Sequence, residues 1–172
     1  MATIFNLKLA AFAALSMLFI GDNLAYRDAE NGKVKILVPA GFVHLTKPNI
    51  PKKNGEDPPD DYFFNKDTTE EILFLAFPQY SQDLNSVRPM MNGVMKTAKK
   101  AYFNDTTTVN GIKMYVAEYD LTEKGKTKYV RAFFFNAGKT TLLGGISCNI
   151  ALKNQWKPIG EKIFKSLRVN AK

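Results

Sequence analysis

Residues 126–150 read KTKYVRAFFFNAGKTTLLGGISCNI. Two runs, Lys126–Asn136 and Thr140–Ile150, are rich in aromatic and β-branched groups and are parted only by Ala137-Gly138-Lys139. Apolar runs around a short glycine-bearing link form an antiparallel hairpin. Upstream, Ile112–Tyr119 is a third such run, joined through Leu121–Gly125, so the short links predict a meander. Thr106–Val109 precedes Asn110-Gly111 and adds an edge strand, because Asn-Gly favours the φ > 0 turn of hairpins.

Working outward, Tyr62-Phe63-Phe64 and Ile72–Phe77 are apolar on consecutive residues, the pattern of a central strand covered on both faces. Asp83–Tyr102 instead repeats apolar groups at Leu84, Val87, Met91, Val94, Ala98 and Tyr102, a helical spacing that Asp83 can cap. Arg88-Pro89 places the regular part of that helix from near Arg88. Asn154–Leu167 sets Trp156, Ile159, Ile163 and Leu167 on one stripe and forms a second helix. Ahead of these, Lys33–Val38 and Phe42–Leu45 read as strands around Pro39-Ala40-Gly41, and the proline-rich residues 46–61 as a long surface loop. The sum is an α+β fold, a central antiparallel sheet flanked by two main helices.

With 172 residues, 45% of them hydrophobic and 23% charged, the chain is an ordinary globular protein of one domain. Lys8 and the apolar run Leu9–Ile20 have the form of a secretory leader, too short for the ~20 residues that cross a bilayer. The expectation is a signal over residues 1–25, cut after Ala25, and a single domain over 26–172 that is soluble and periplasmic, with no stable membrane insertion. Cys148 is the only cysteine, so no internal disulfide forms, and its place in an apolar run predicts burial. Lys8 and Asp22 cancel within the leader, so the domain keeps the formal charge of +8. An exported protein seldom meets nucleic acid, which leaves acidic protein surfaces or anionic membrane and envelope polymers as partners.

Catalytic patterns are incomplete. His44, the only histidine, would have to serve any Ser147 or Cys148 nucleophile, and Gly145-Ile146-Ser147-Cys148-Asn149 lacks the closing glycine of a nucleophile elbow. Gly138-Lys139-Thr140 ends like a phosphate loop, but Phe133 stands where its first glycine belongs. Asp57, Asp60 and Asp61 are interrupted by Pro58-Pro59 and lack calcium-loop spacing, and zinc would need more His and Cys than one of each. No catalytic residue, metal site or cofactor is therefore assigned. Lys96, Lys99 and Lys100 lie opposite the apolar stripe of the first helix, and together with Lys126, Lys128 and Arg131 they are the candidate partner-binding surface.

The order of features resembles the PsbP-like and DcrB-like superfamily. The residues concerned are Val38–Phe42, the Ile72–Phe77 strand, Val109–Ile112, the aromatic Tyr129–Phe135, Gly144–Cys148 and Ile163–Leu167. The likeness spans about residues 33–169 and implies a sheet between helices, and a protein that binds other proteins without catalysing reactions. It carries no catalytic residues onto this chain. The expected function is thus a non-catalytic periplasmic protein that binds an acidic partner, in one version an immunity protein against a secreted bacterial toxin. Two alternatives stand beside it: a binder of small envelope ligands or cell-wall polymer, using Tyr62-Phe63-Phe64 and Tyr129–Phe135, and a hydrolase using His44 with Ser147 or Cys148.

Overall fold

A computed structural model of the protein describes residues 23–51, 57–77 and 83–170. Its meander follows the turn chemistry. Strands β6 (Lys100–Val109) and β7 (Ile112–Glu123) are joined by Asn110-Gly111 at φ 51° and 78°, and β7 and β8 (Lys126–Ala137) by Lys124-Gly125 at φ 48° and 77°. Both are two-residue loops in the left-handed region, whose twist suits hairpins. Gly138 at φ 63° then turns β8 into β9 (Thr140–Asn149).

Beyond β9 the sheet continues through β5 (Glu70–Ala76), β4 (Asp61–Phe64) and β3 (Val43–Thr46), giving the seven-strand order β3-β4-β5-β9-β8-β7-β6. Every neighbouring pair is antiparallel. Alternation deals consecutive apolar residues to opposite faces. Phe133 and Phe135 enter one core with Met114, Phe63, Phe74 and Ile146, whereas Phe134 enters a second with Tyr115, Ala117 and Ala132.

Helix α2 (Lys153–Lys165) covers the first face with Trp156, Ile159, Ile163 and Phe164. Beside it lies a three-stranded sheet of β1 (Leu24–Ala29), β2 (Val34–Pro39) and β10 (Arg168–Val169), in the order β1-β2-β10. The second face is covered by a 3-10 turn (Leu84–Val87) and α1 (Arg88–Thr97), which bring Leu84, Val87 and Met91 onto it. Asp83 caps the turn by accepting the Asn85 N–H at 2.9 Å, as its residue type predicts. Pro89 occupies the first turn of α1, where its missing donor costs nothing.

Several sequence expectations are corrected. The first helix does not reach Tyr102: Ala98 turns to ψ 138° and the chain reverses into β6, so the edge strand expected at Thr106–Val109 begins at Lys100. The period of three to four through Val94, Ala98 and Tyr102 is interrupted by a main-chain bond from Lys99 N–H to the Asp120 carbonyl, 2.8 Å, which starts the ladder. The expected leader lies outside the described residues up to position 22, and its last two residues, Leu24 and Ala25, pair with Pro39 and Val38 in β1 of the uncut chain. The loop over 46–61 contains a 3-10 turn at Lys47–Asn49 and ends in β4 at Asp61, and residues 52–56 are outside the described range. Finally, β5 is fully buried on one face only. Ile72 and Phe74 are core residues, whereas Leu73 and Leu75 are half-buried and belong to neither core, since α1 packs over β6 and β7 instead.

Gly144 lies directly opposite Phe133, whose ring lies across it: a Cβ built there would be 2.1 Å from Phe133 Cε2. Gly144→Ala is expected to lower unfolding stability by about 1–3 kcal/mol, read as a shifted midpoint in urea with an unchanged slope. An unchanged midpoint would show that the ring yields freely.

Candidate functional site at the lysine-rich end of the sheet

One end of the large sheet gathers cations from four elements. α1 ends with Lys96 in its last turn, β6 begins at Lys100 opposite Asp120, the β7–β8 turn carries Lys124, and Lys126 opens β8 opposite Glu123. From Asp120 to Glu123 is three residues, about 10 Å along the strand, so these cations gather at one end of the sheet, with alternation setting Lys100 on the α2 face and Lys126 on the α1 face. Lys96, Lys99, Lys100, Lys124 and Lys126 are all exposed, and none forms an ion pair with another described residue. α2 starts at the same end with no acidic residue in its first turn, so its positive dipole end adds to the field.

Beneath that surface lies a polar seam between α2 and β6–β8. Asp120 is buried, and its carboxylate accepts from Lys153 Nζ at 2.9 and 3.2 Å and from the Tyr102 hydroxyl. Lys153 also donates to the Tyr102 oxygen. Burial opposes the Lys153 charge, but the bonds to Tyr102 and Asp120 outweigh it and raise its pKa. The Tyr102 ring is flanked by three ammonium groups, Lys153 at 3.7 Å, Lys100 at 5.2 Å and Lys157 at 5.6 Å from its centroid. Next along, Arg131 donates from Nε to Glu118 at 2.8 Å and pairs with Glu161 of α2, while Lys157 reaches Glu118 at 3.0 Å. Burial resists ionisation of Glu118, yet Arg131 and Lys157 together hold its carboxyl below the usual range.

The sequence-predicted cations therefore divide. Lys96, Lys99, Lys100 and Lys126 are exposed at one end of the sheet, although Lys99 and Lys100 arrive there at a strand start and not on a helix. Lys128 is committed to Glu71 at 2.7 Å. Arg131 is not a surface group at all: it is 5% exposed and its guanidinium is consumed by two carboxylates. Sequence reasoning missed Lys124, Lys153 and the aromatic pair Tyr102 and Phe103, which are 37% and 42% exposed on the edge strand. The Lys124-Gly125 turn signal would have placed the first of these. Nothing local marks the others, because Tyr102 also fits a helical stripe.

No protein-family model matches the sequence, and no curated protein is similar to it in sequence. Comparison of structures does find likeness. CyanoP, the cyanobacterial PsbP of Synechocystis sp. PCC 6803, superposes with a TM-score of 0.60 over 86% of this chain and 93% of its own, at 11% identity. The fold is PsbP-like. LpqN of Mycobacterium tuberculosis, described as involved in cell envelope biogenesis, gives a TM-score of 0.54 over 89% of this chain and 95% of its own, also at 11% identity. A Pseudomonas aeruginosa protein of unknown function gives 0.51 over 87% and 99%, again at 11%.

On this PsbP-like frame the residues considered for hydrolysis stand apart. His44 on β3 is level with Phe63, Ile72 and Ile146 in successive strands. It is thus three ladder steps, about 14 Å, from β9. Ser147 points to the opposite face and donates to Glu71 at 2.9 Å. Cys148 is fully buried, and burial pushes its thiol up to about 12. His44 pairs instead with Asp61 at 2.6 Å, and the other Asp61 oxygen accepts the Glu30 N–H at 2.7 Å, tying the β1–β2 turn to β4. Asp60 likewise accepts the Ala76 N–H at 2.7 Å and Lys47 Nζ at 3.2 Å, so Asp60 and Asp61 of the acidic loop are structural.

Glu30 is buried beside those aspartates, and one of its carboxyl oxygens has no hydrogen-bond partner. Burial, then Asp60 and Asp61, raise its pKa from 4.5 to about 7. The folded state therefore holds a proton that the unfolded chain releases above pH 4.5. Its stabilising effect is complete below that pH and is lost as pH rises toward 7, a swing of order 2–3 kcal/mol. Glu30→Gln is expected to melt like the parent protein at pH 4.5 and several degrees above it at pH 8. Equal melting temperatures at pH 8 would refute the assignment.

Proposed function

We propose that this chain is a non-catalytic binding module of the cell envelope that docks an acidic partner protein through the lysine-rich end of its large sheet. The observation that carries this reading is the gathering of Lys96, Lys99, Lys100, Lys124 and Lys126 at one end of the sheet, where Glu123 is the one exposed carboxylate among them and none of the five forms an ion pair with a described residue, in a domain of formal charge +8. Exposed cations left unpaired beside a rigid seam favour encounter with a complementary surface and cost no internal ion pair when they engage it.

The envelope assignment draws on the secretory form of residues 1–25 and on the PsbP-like fold shared with LpqN. Among the described residues no helix is long and apolar enough to cross a membrane. The separation of His44 from Ser147 and Cys148 supports contact in place of chemistry. An immunity protein covering the acidic cleft of a delivered toxin is one instance of the same contact.

The test combines Lys99→Glu, Lys100→Glu and Lys126→Glu in one variant, since all three side chains are exposed and unpaired. A single protein species should be retained from envelope extract by the parent at ~50 mM salt and released at ~300 mM, as the screening length shortens. The variant should lose it at both, with its melting temperature unchanged. Retention that ignores both salt and charge reversal overturns the proposal.

A further inference from the structure

On the α2 side of the edge strand lies an open groove of about 400 Å³, lined by Asn154, Lys157, Pro158 and Glu161, one stripe of α2. Phe103 of β6 stands directly opposite Glu118 of β7. Opposed residues place their Cβ atoms about 5 Å apart on the same face. Glu118 is in turn held by Lys157 at 3.0 Å, so Phe103 and the groove lie on either side of the same ion pair. Phe103 is 42% exposed and makes no ring contact with any described residue, whereas its neighbour Tyr102 is fixed by Asp120 and Lys153.

A single exposed aromatic needs no explanation. Here two adjacent ones occupy a strand edge, beside an open groove, with Lys96, Lys99, Lys100 and Lys126 unpaired around the same end. Tyr102, already held in place, loses little entropy on binding, and Phe103 beside it offers an aromatic face with no ring partner among the described residues. The carboxylates beside the groove are each paired with cations, Glu118 with Arg131 and Lys157, Glu161 with Arg131 and Lys165, and Asp120 with Lys153.

Resting on the reading of the lysine-rich end as an acidic-partner surface, we infer that the α2 groove at Lys157 and Pro158, with the exposed Phe103 across the Glu118–Lys157 pair, takes an aromatic side chain of the partner, carried in an acidic segment. The partner's carboxylates meet Lys99 and Lys100, and its aromatic ring packs on Phe103. Charge complementarity selects an acidic polypeptide over a second copy of this chain, whose own +8 would be repelled. The lysines alone supply encounter and salt dependence; Phe103 supplies the preference for an aromatic-bearing segment.

Two defined polymers test this, poly-L-glutamate and a random glutamate–tyrosine copolymer of matched length, titrated against the purified protein at ~50 mM salt. The protein is expected to bind the copolymer about ten-fold more tightly, the effect of one well-seated aromatic contact. Phe103→Ser should bring the ratio near one, and Phe103→Tyr should keep it. A ratio near one in the parent protein overturns the groove while leaving the lysine surface standing. Binding to neither polymer overturns both. Phe103-dependent binding to phosphatidylglycerol vesicles, with none to the copolymer, overturns it in favour of a lipid surface.

Discussion

A strand that is apolar on consecutive residues is stable only where both of its faces leave water, and β8 carries three phenylalanines in a row, Phe133, Phe134 and Phe135. That constraint sets the architecture. Phe133 and Phe135 require α2 and the small sheet on one side, and Phe134 requires the 3-10 turn and α1 on the other. The layers are consequences of how one strand distributes its rings. The PsbP-like likeness to CyanoP and LpqN is a likeness of this layering, carried at 11% identity by pattern instead of particular residues.

Within that frame the charges fall into two classes. Arg131, Glu118 and Asp120 point into the core face of the sheet, where an ionised group alone would carry a large desolvation cost. They are tolerable because α2 supplies Lys153, Lys157 and Glu161 against them. Those pairs fix how α2 lies on the sheet. The cations at the sheet end have no such duty, and it is their freedom that makes the end a candidate for recognition.

Much of this was legible in the sequence where signals are local. The Asn110-Gly111 turn, the stripe of α2, the buried Cys148 and the alternation of the meander each depend on a few neighbouring residues. The misreadings arose where a distant partner decides. Ala98 and Tyr102 satisfy a helical spacing, and only the ladder with Asp120 in β7 shows that the chain has already become a strand. Arg131 reads as a surface cation because its carboxylates lie 13 residues away on a strand and farther still on a helix. Cross-strand and helix-to-sheet pairs follow register, and register is not written in any single segment.

β10 is only two residues long, yet it completes the small sheet by pairing with Lys35 and Val34 near the start of the domain. Asn170 Nδ2 adds a bond to the Gly32 carbonyl, across 138 positions of chain. A chain synthesised from its amino end therefore presents β2 long before the strand that seals its border. Throughout that interval β2 is an unshielded template for neighbouring strands. The folding of this domain is thus tied to arrival of its tail, and the border of the small sheet stays open until the last residues are in place.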